Sequence, residues 1–186
     1  MRGNNMITLV FDTETTGIPK HPAAKKSTQP RIIEWGGILL DASGRILREL
    51  QLLINPGVPL EPIITKITGL TDADLADKTT FGDCYPQIKE MFAAADTVVA
   101  HNLPFDLTLM EIELHNIGVD DFPFPKSQIC TVQEHYEEFG YRTHMKDLYK
   151  HYTGQPLAQT HRALDDVMAL VEICRRCGIA GDGAVQ

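Results

Sequence analysis

Apolar positions along the chain fall into short blocks separated by turn-forming residues. Ile7-Thr-Leu-Val-Phe11 is a compact β-rich run that ends at Asp12 and reads as a buried strand. Thr15-Thr16-Gly17-Ile18-Pro19 carries turn chemistry, and the polar residues 20–30, with Pro22 and Pro30, read as a loop. Arg31–Leu40 is a second strand, Asp41-Ala-Ser-Gly44 a tight turn and Arg45–Ile54 a third strand. Strands joined so closely predict an antiparallel meander.

Beyond the proline-punctuated stretch from Pro56 to Pro62 the spacing of apolar residues lengthens. A short helix is predicted over Ile63–Ile67. Thr71 then offers a cap, with Asp74 three positions on. Residues 83–95 form an amphipathic pattern with Cys84, Ile88, Met91 and Phe92 on one face. Thr97–Ala100 is a fourth strand, Leu103–Asn116 a helix opened by Pro104, and Ser127–Cys130 a fifth strand. Residues 132–139 and 144–153 read as short helices and His161–Cys177 as a long one. A meander followed by strand–helix alternation predicts an α/β domain with a mixed sheet. One domain is expected over residues 1–178, with a short flexible tail over 179–186.

Composition keeps this picture and narrows it. Of 186 residues, 43% are hydrophobic and 23% charged, close to globular averages. That excludes a disordered chain, a collagen-like one and a coiled coil. No apolar run approaches the ~20 residues that span a bilayer, so no membrane partner is expected. No secretory segment fits the N-terminus, which makes a cytoplasmic location the default expectation. The 17 Lys+Arg and 25 Asp+Glu leave a formal charge of −8. Non-specific coating of nucleic acid draws its affinity from cations that neutralise phosphates, and this balance excludes it. Contact with nucleic acid should instead be local, helped by metal ions held on the chain's own carboxylates. Among the four cysteines, Cys174 and Cys177 make one C-x-x-C near the end of a helical pattern. Without a second pair at zinc spacing, the favoured reading is packing cysteines, with a zinc or redox role as the alternative.

Three segments carry candidate chemistry. In Phe11-Asp12-Thr13-Glu14-Thr15-Thr16-Gly17 the two acids share one side of a strand end. That is an unfavourable like-charge pair unless a divalent cation offsets it. Gly17 permits a tight turn beside it. In His101-Asn-Leu-Pro-Phe105-Asp106 a buried strand leads into a helix whose first turn holds an acid. In His161-Arg-Ala-Leu-Asp165-Asp166 a histidine precedes an acid-rich helix start. Each segment alone also reads as an ordinary solvated strand end or capped helix. Together they offer Asp12, Glu14, Asp106 and Asp166, four hard oxygen donors, beside His161. Such a donor set suits Mg²⁺ or Mn²⁺ rather than zinc. Two such ions can clamp the attacking and leaving oxygens of an in-line phosphoryl displacement.

In this order and spacing the three segments resemble the exonuclease motifs of the DEDD superfamily of 3′–5′ exonucleases. His161, five residues before Asp166, points to the DEDDh, or DnaQ-like, branch, which includes the proofreading subunits of bacterial replicative polymerases. The resemblance covers roughly residues 6–176. It implies a ribonuclease-H-like fold, a mixed five-stranded sheet flanked by helices. It implies Asp12, Glu14, Asp106 and Asp166 as ligands of two divalent cations, Mg²⁺ with Mn²⁺ able to substitute, and His161 as the general base. Imidazoles titrate near ~6.5, which suits proton transfer at neutral pH. Thr13, Thr15, Thr16 and Gly17 align with the stretch that holds the 3′-terminal nucleotide, and His101, Asn102 and Phe105 with further substrate contacts. The family's second motif commonly reads H-N-A-x-F-D, where this chain has Leu103 and Pro104 after Asn102. Altered geometry at the start of that helix is expected, with activity retained.

The expected reaction is metal-dependent release of nucleoside 5′-monophosphates from the 3′ end of DNA, at single-stranded or frayed ends. An RNA-directed exonuclease of the ribonuclease T or oligoribonuclease type is the alternative, and a non-catalytic nucleic-acid-binding module is another. The nucleic acid 3′ end is the expected partner, with a polymerase or replication protein as a further one. Lys20, His21, Lys25, Lys26 and Arg31 follow the first motif with no intervening acid. Arg142, His144, Lys146, Lys150 and His151 precede the third. Both stretches are candidates for steering phosphates toward the metals.

Overall fold

The structure is a computed structural model, and it describes residues 6–158 and 161–180. Three strands open the chain: β1 (Thr8–Thr15), β2 (Ile32–Leu40) and β3 (Ile46–Leu53). Three helices follow: α1 (Pro62–Thr68), α2 (Asp72–Leu75) and α3 (Phe81–Ala94). Then come β4 (Thr97–Ala100), α4 (Leu103–Asn116) and β5 (Ser127–Cys130). The chain closes with the single turns α5 (Thr131–Glu134) and α6 (Tyr136–Phe139), then α7 (Met145–Thr153) and α8 (Ala163–Arg176).

The five strands form one sheet in the order β3-β2-β1-β4-β5. β2 runs antiparallel to both β1 and β3, the expected meander, while β4 and β5 join parallel to β1. This is the mixed sheet flanked by helices that the resemblance implies. Strand alternation divides the core in two. Leu9 and Phe11 face the cluster that includes Phe81, Ile88 and Phe92 of α3 and Leu109 and Met110 of α4. Val10, Ile38 and Val99 face the cluster under Leu148 of α7 and Val167, Leu170 and Ile173 of α8. Both faces of the sheet are covered, and all nine residues of β2 are buried.

Two boundaries differ from the sequence expectation for physical reasons. β1 does not stop at Asp12. It pairs on through Asp12↔Gly36 and Glu14↔Glu34, because β-branched threonines alternate with the acids and suit an extended strand. The helix expected over 132–139 breaks at His135, whose ring nitrogens engage the Thr131 carbonyl and the Tyr152 hydroxyl, each at 2.8 Å. The tail expected at 179–186 begins with Ile179 and Ala180, which pack on the α8 cluster. Residues 181–186 lie outside the described residues. Cys84, Cys130 and Cys174 are buried free thiols and Cys177 is half-buried, as packing cysteines should be. No helix among the described residues is long and apolar enough to cross a membrane.

Candidate active site

The site grows out of the place where chain connections diverge. β1 and β4 lie side by side and parallel, and the chain leaves β4 into α4 on one face of the sheet. α8 covers the other face. In open α/β sheets such a divergence leaves a crevice outside the carboxyl ends of the strands, where ligands bind. Here the end of β1 supplies Asp12 and Glu14, on the face that α8 covers. The head of α4 supplies Asp106, and the head of α8 supplies Asp166.

These residues line one cleft of about 360 Å³, which also takes in His161. Glu14, His161 and Asp166 stand closest, with one donor atom from each lying within 4.8 Å of the others. Asp106 is 2% exposed and accepts a 2.7 Å hydrogen bond from the Thr13 hydroxyl. Thr13 points to the α4 face, opposite its strand neighbours, so one β1 segment reaches acids from both sides.

Local backbone explains how the neighbours enter. Asn102 holds a left-handed conformation, φ 71°, just before α4, and its side chain does not cap the helix. Asparagine tolerates that region better than most residues. Its side chain lines the cleft, as do His101 and Phe105. The Nδ1 atom of His101 sits 2.9 Å from the Thr131 hydroxyl. Burial pushes the His101 imidazole down to about 4, a shift that neighbouring Arg142 and His144 reinforce. It is therefore neutral at pH 7. Pro104 occupies the first turn of α4, which runs unbroken behind it. His161 lies just ahead of α8, also left-handed, at φ 51°.

Charge is crowded here. Asp12 is pushed well above the ordinary carboxylate range, chiefly by burial and then by Asp106, Glu14 and Asp166. Glu14 is raised from 4.5 to about 8, by burial and then by Asp166 and Glu34, with Arg162 opposing. Burial raises Asp106 too, against the pull of the Thr13 hydrogen bonds. Protons or cations must occupy such a cluster at neutral pH.

Two buried ion pairs set the helices that bring the acids in. On β2, Glu34 is fully buried and accepts bonds from Arg162 Nε at 3.0 Å and Arg162 Nη2 at 2.9 Å. The Gln51 side chain adds a 2.6 Å bond and the Ala163 main-chain N–H one of 3.3 Å. The head of α8 is thereby gripped one residue after His161. Gly36, two positions along, lets the helix press closer still: a Cβ there would lie 2.8 Å from Ala163 C and Leu164 N. At the start of β2, Arg31 donates from Nε and Nη2 to the two oxygens of buried Glu113, both at 2.9 Å. The Ile32 N–H adds a third bond at 2.9 Å, so α4 is tied to the same strand.

The structure brings together all four predicted acids, His161, Thr13, His101, Asn102 and Phe105. It does not bring Thr15, Thr16 or Gly17 to the cleft lining. The Thr15 hydroxyl closes a turn onto the Gly17 carbonyl at 2.7 Å, and the Thr16 hydroxyl accepts from the Arg31 N–H at 2.9 Å. Of the basic stretch before the third motif, Arg142 and His144 line the cleft, whereas Lys146, Lys150 and His151 do not. The basic loop over residues 20–29 lines a different groove. Glu34 was not singled out by its sequence surroundings. Its partner Arg162 lies 128 residues away, and only a charged residue inside an otherwise apolar strand hinted at it.

A family model described as exonuclease (RNase_T) matches residues 9–174. The DNA polymerase III subunit epsilon of Treponema pallidum is 36% identical over 104 residues, 56% of this chain and 44% of that protein. The PolC-type DNA polymerase III of Caldanaerobacter subterraneus subsp. tengcongensis is 26% identical over 165 residues, 89% of this chain and 11% of that protein. The chain thus spans between about a tenth and less than half the length of these curated relatives. Among solved structures, the nuclease domain of 3′hExo, described as a DEDDh family member bound to rAMP, superposes with a TM-score of 0.73 at 15% identity. That likeness, over 100% of this chain and 98% of the other, is one of fold.

Proposed function

The chain belongs to the exonuclease family matched over residues 9–174, and from that premise we propose that it hydrolyses the 3′-terminal phosphodiester of DNA. The product is a nucleoside 5′-monophosphate. The observation that carries this reading is the single cleft in which Asp12, Glu14, Asp106 and Asp166 converge with His161.

The donor set fits the divalent cations on which this family depends. Four carboxylates are oxygen donors of the hard type that Mg²⁺ and Mn²⁺ prefer. Burial, and then the neighbouring acids, raise the proton affinity of Asp12 and Glu14, and a bound cation would offset that crowding. Two cations balance about four negative charges, and Asp12, Glu14, Asp106 and Asp166 are the residues proposed to hold them. When bound, they stabilise the charge that develops on the attacking and departing oxygens.

The chain's own groups do the rest. His161 takes the proton from the attacking water at a ring nitrogen. The water oxygen bonds to phosphorus, the bond from phosphorus to the 3′-oxygen breaks, and that oxygen leaves on the shortened strand. Removing a general base of this kind lowers the rate by about 10²–10⁴. Thr13 holds Asp106 by its hydrogen bond, and Phe105, Asn102 and neutral His101 wall the pocket that receives the terminal nucleotide. Arg142 gives an otherwise anionic cleft a cationic side, placed to meet phosphate oxygens, and His144 lines the wall beside it.

DNA is the proposed substrate because the sequence relatives bear the names of DNA polymerase III proteins. A replicative polymerase is the corresponding protein partner. The test is digestion of matched 3′-labelled DNA and RNA oligomers with Mg²⁺, by wild type and by Asp12→Ala. Shortening of the DNA by wild type alone supports the reading. Faster digestion of the RNA would transfer it to RNA ends, and digestion by Asp12→Ala at the wild-type rate would remove the site assignment.

A further inference from the structure

We infer that the groove between the basic loop and α4 is an upstream subsite for the same single strand whose 3′ end occupies the cleft. The inference rests on the exonuclease reading and extends it to nucleotides beyond the terminal one. The groove holds about 520 Å³, more than the cleft itself. Lys20, Lys25 and Lys26 line it from the loop. Pro22 and Ala24 on the loop and Ile112 on α4 give it an apolar floor, and Glu111 is the acid in its wall.

Charge complementarity selects the occupant. The chain carries −8 overall, yet no acid lies between Glu14 and Glu34. Among the described residues no ion pair joins Lys20, Lys25 or Lys26 to a carboxylate, whereas Arg31 is committed to Glu113. The lysines also hang on an ordered frame. Lys20 N–H donates to the Gln29 side chain at 3.0 Å, which returns a bond to the His21 carbonyl at 3.2 Å. A 3₁₀ turn over Lys26–Thr28 fixes the far side of the loop.

Continuity with the cleft decides between a nucleic-acid strand and an acidic protein segment. Phe105 lines the cleft, while Thr108, Ile112 and His115 line the groove. Steps of three, four and three residues put all four on one stripe of α4. From Phe105 to His115 that stripe runs ~15 Å at ~1.5 Å per residue. A strand stacked at ~3.4 Å per nucleotide covers it in about four nucleotides. A 3′ end in the cleft therefore has a direct path along α4 to the lysines, and an unrelated acidic ligand gains nothing from that alignment.

The experiment compares a single-stranded 12-mer with a dinucleotide, using wild type and the triple variant Lys20→Ala/Lys25→Ala/Lys26→Ala. All three positions are on an exposed loop, and a thermal melt checks the fold. The variant should lose about 10-fold or more in kcat/KM on the 12-mer and keep wild-type rates on the dinucleotide. Binding of the 12-mer in Ca²⁺, followed by fluorescence anisotropy, should show a log–log salt slope shallower by ~2, since each single-strand phosphate contact contributes ~0.7. An unchanged slope with unchanged length dependence overturns the subsite. Equal losses on both substrates overturn it as well. So does an acidic polypeptide that blocks the groove while the oligomer still binds with the wild-type slope. If wild type hydrolyses neither substrate, the exonuclease reading fails, and the anisotropy result still judges the groove by itself.

Discussion

Replacing Gly36 by alanine tests whether close contact between β2 and the head of α8 sets the site. Gly36 lies in ordinary strand conformation, so alanine meets no backbone obstacle and gains ~0.4–1 kcal/mol by stiffening the unfolded chain. Against that, the new Cβ would sit 2.8 Å from two main-chain atoms, where ordinary contact begins near 3.4 Å. The helix head must retreat by ~0.6 Å, because main-chain atoms cannot swing aside as a side chain can. Overpacking of this sort costs ~1–3 kcal/mol, so a net loss of about 1–2 kcal/mol is expected. For a domain of this size that lowers Tm by ~2–8 °C. Displacing catalytic groups by about 1 Å can cost ~10²-fold, so a ~10-fold fall in kcat is expected for Gly36→Ala, with KM nearly constant. Gly37→Ala is the control. Its Cβ would clash with the Trp35 ring on the opposite face, away from α8, so it should lower Tm at least as much and kcat far less. A Gly36→Ala protein that melts within a degree of wild type at full turnover would show that the close contact does not set the site. Equal loss of kcat in Gly37→Ala would show the same.

Three other outcomes follow from the same geometry. Glu14 binds its proton up to about pH 8 when folded but only to about 4.5 when unfolded, so the metal-free protein should lose stability as pH rises between those values. Thermal melts in EDTA from pH 5 to 8 should show a falling Tm that Mg²⁺ or Mn²⁺ restores; a flat or rising curve in EDTA would contradict the assigned crowding. His161→Gly should raise Tm slightly, because a left-handed residue with a Cβ costs ~1 kcal/mol, while abolishing most turnover. A drop in Tm would show that the imidazole is chiefly structural. Glu113→Ala should cost ~3 kcal/mol in urea denaturation by leaving Arg31 without its buried partner; a change below ~1 kcal/mol would mean that water replaces the pair easily.

The periodicities of the sequence carried the elements well, because alternation and 3.6-residue spacing are local. Residues 12–15 were one exception, beside the helix that breaks at His135, since acids at a strand end read as the point where water begins. Only pairing with Glu34 and Gly36 keeps them in the sheet. The acids and His161 were legible because their residue types and spacing carry chemistry whatever surrounds them. Asp106 read equally well as an exposed first-turn acid, and its near-complete burial depends on Thr13, 93 residues away. Thr15 and Thr16 show the opposite ambiguity: a hydroxyl aligned with a substrate contact is just as able to close a turn, and theirs bond the Gly17 carbonyl and the Arg31 N–H. The lysines of the loop showed as a charge excess, but which depression they border is a property of α4.

Both arginine–glutamate pairs begin at the same end of one buried ribbon but grip their helices at different points: Arg162 immediately precedes the head of α8, whereas Glu113 sits in the last turn of α4. The head of α4 is held instead by the Thr13 hydroxyl on Asp106. The two sides of the ion cage thus hang on different tethers, and each can fray by its own local opening. Amide exchange in the unloaded protein should therefore resolve two separate protection levels, one over residues 103–106 and another over 161–166, merging once cations bridge the heads.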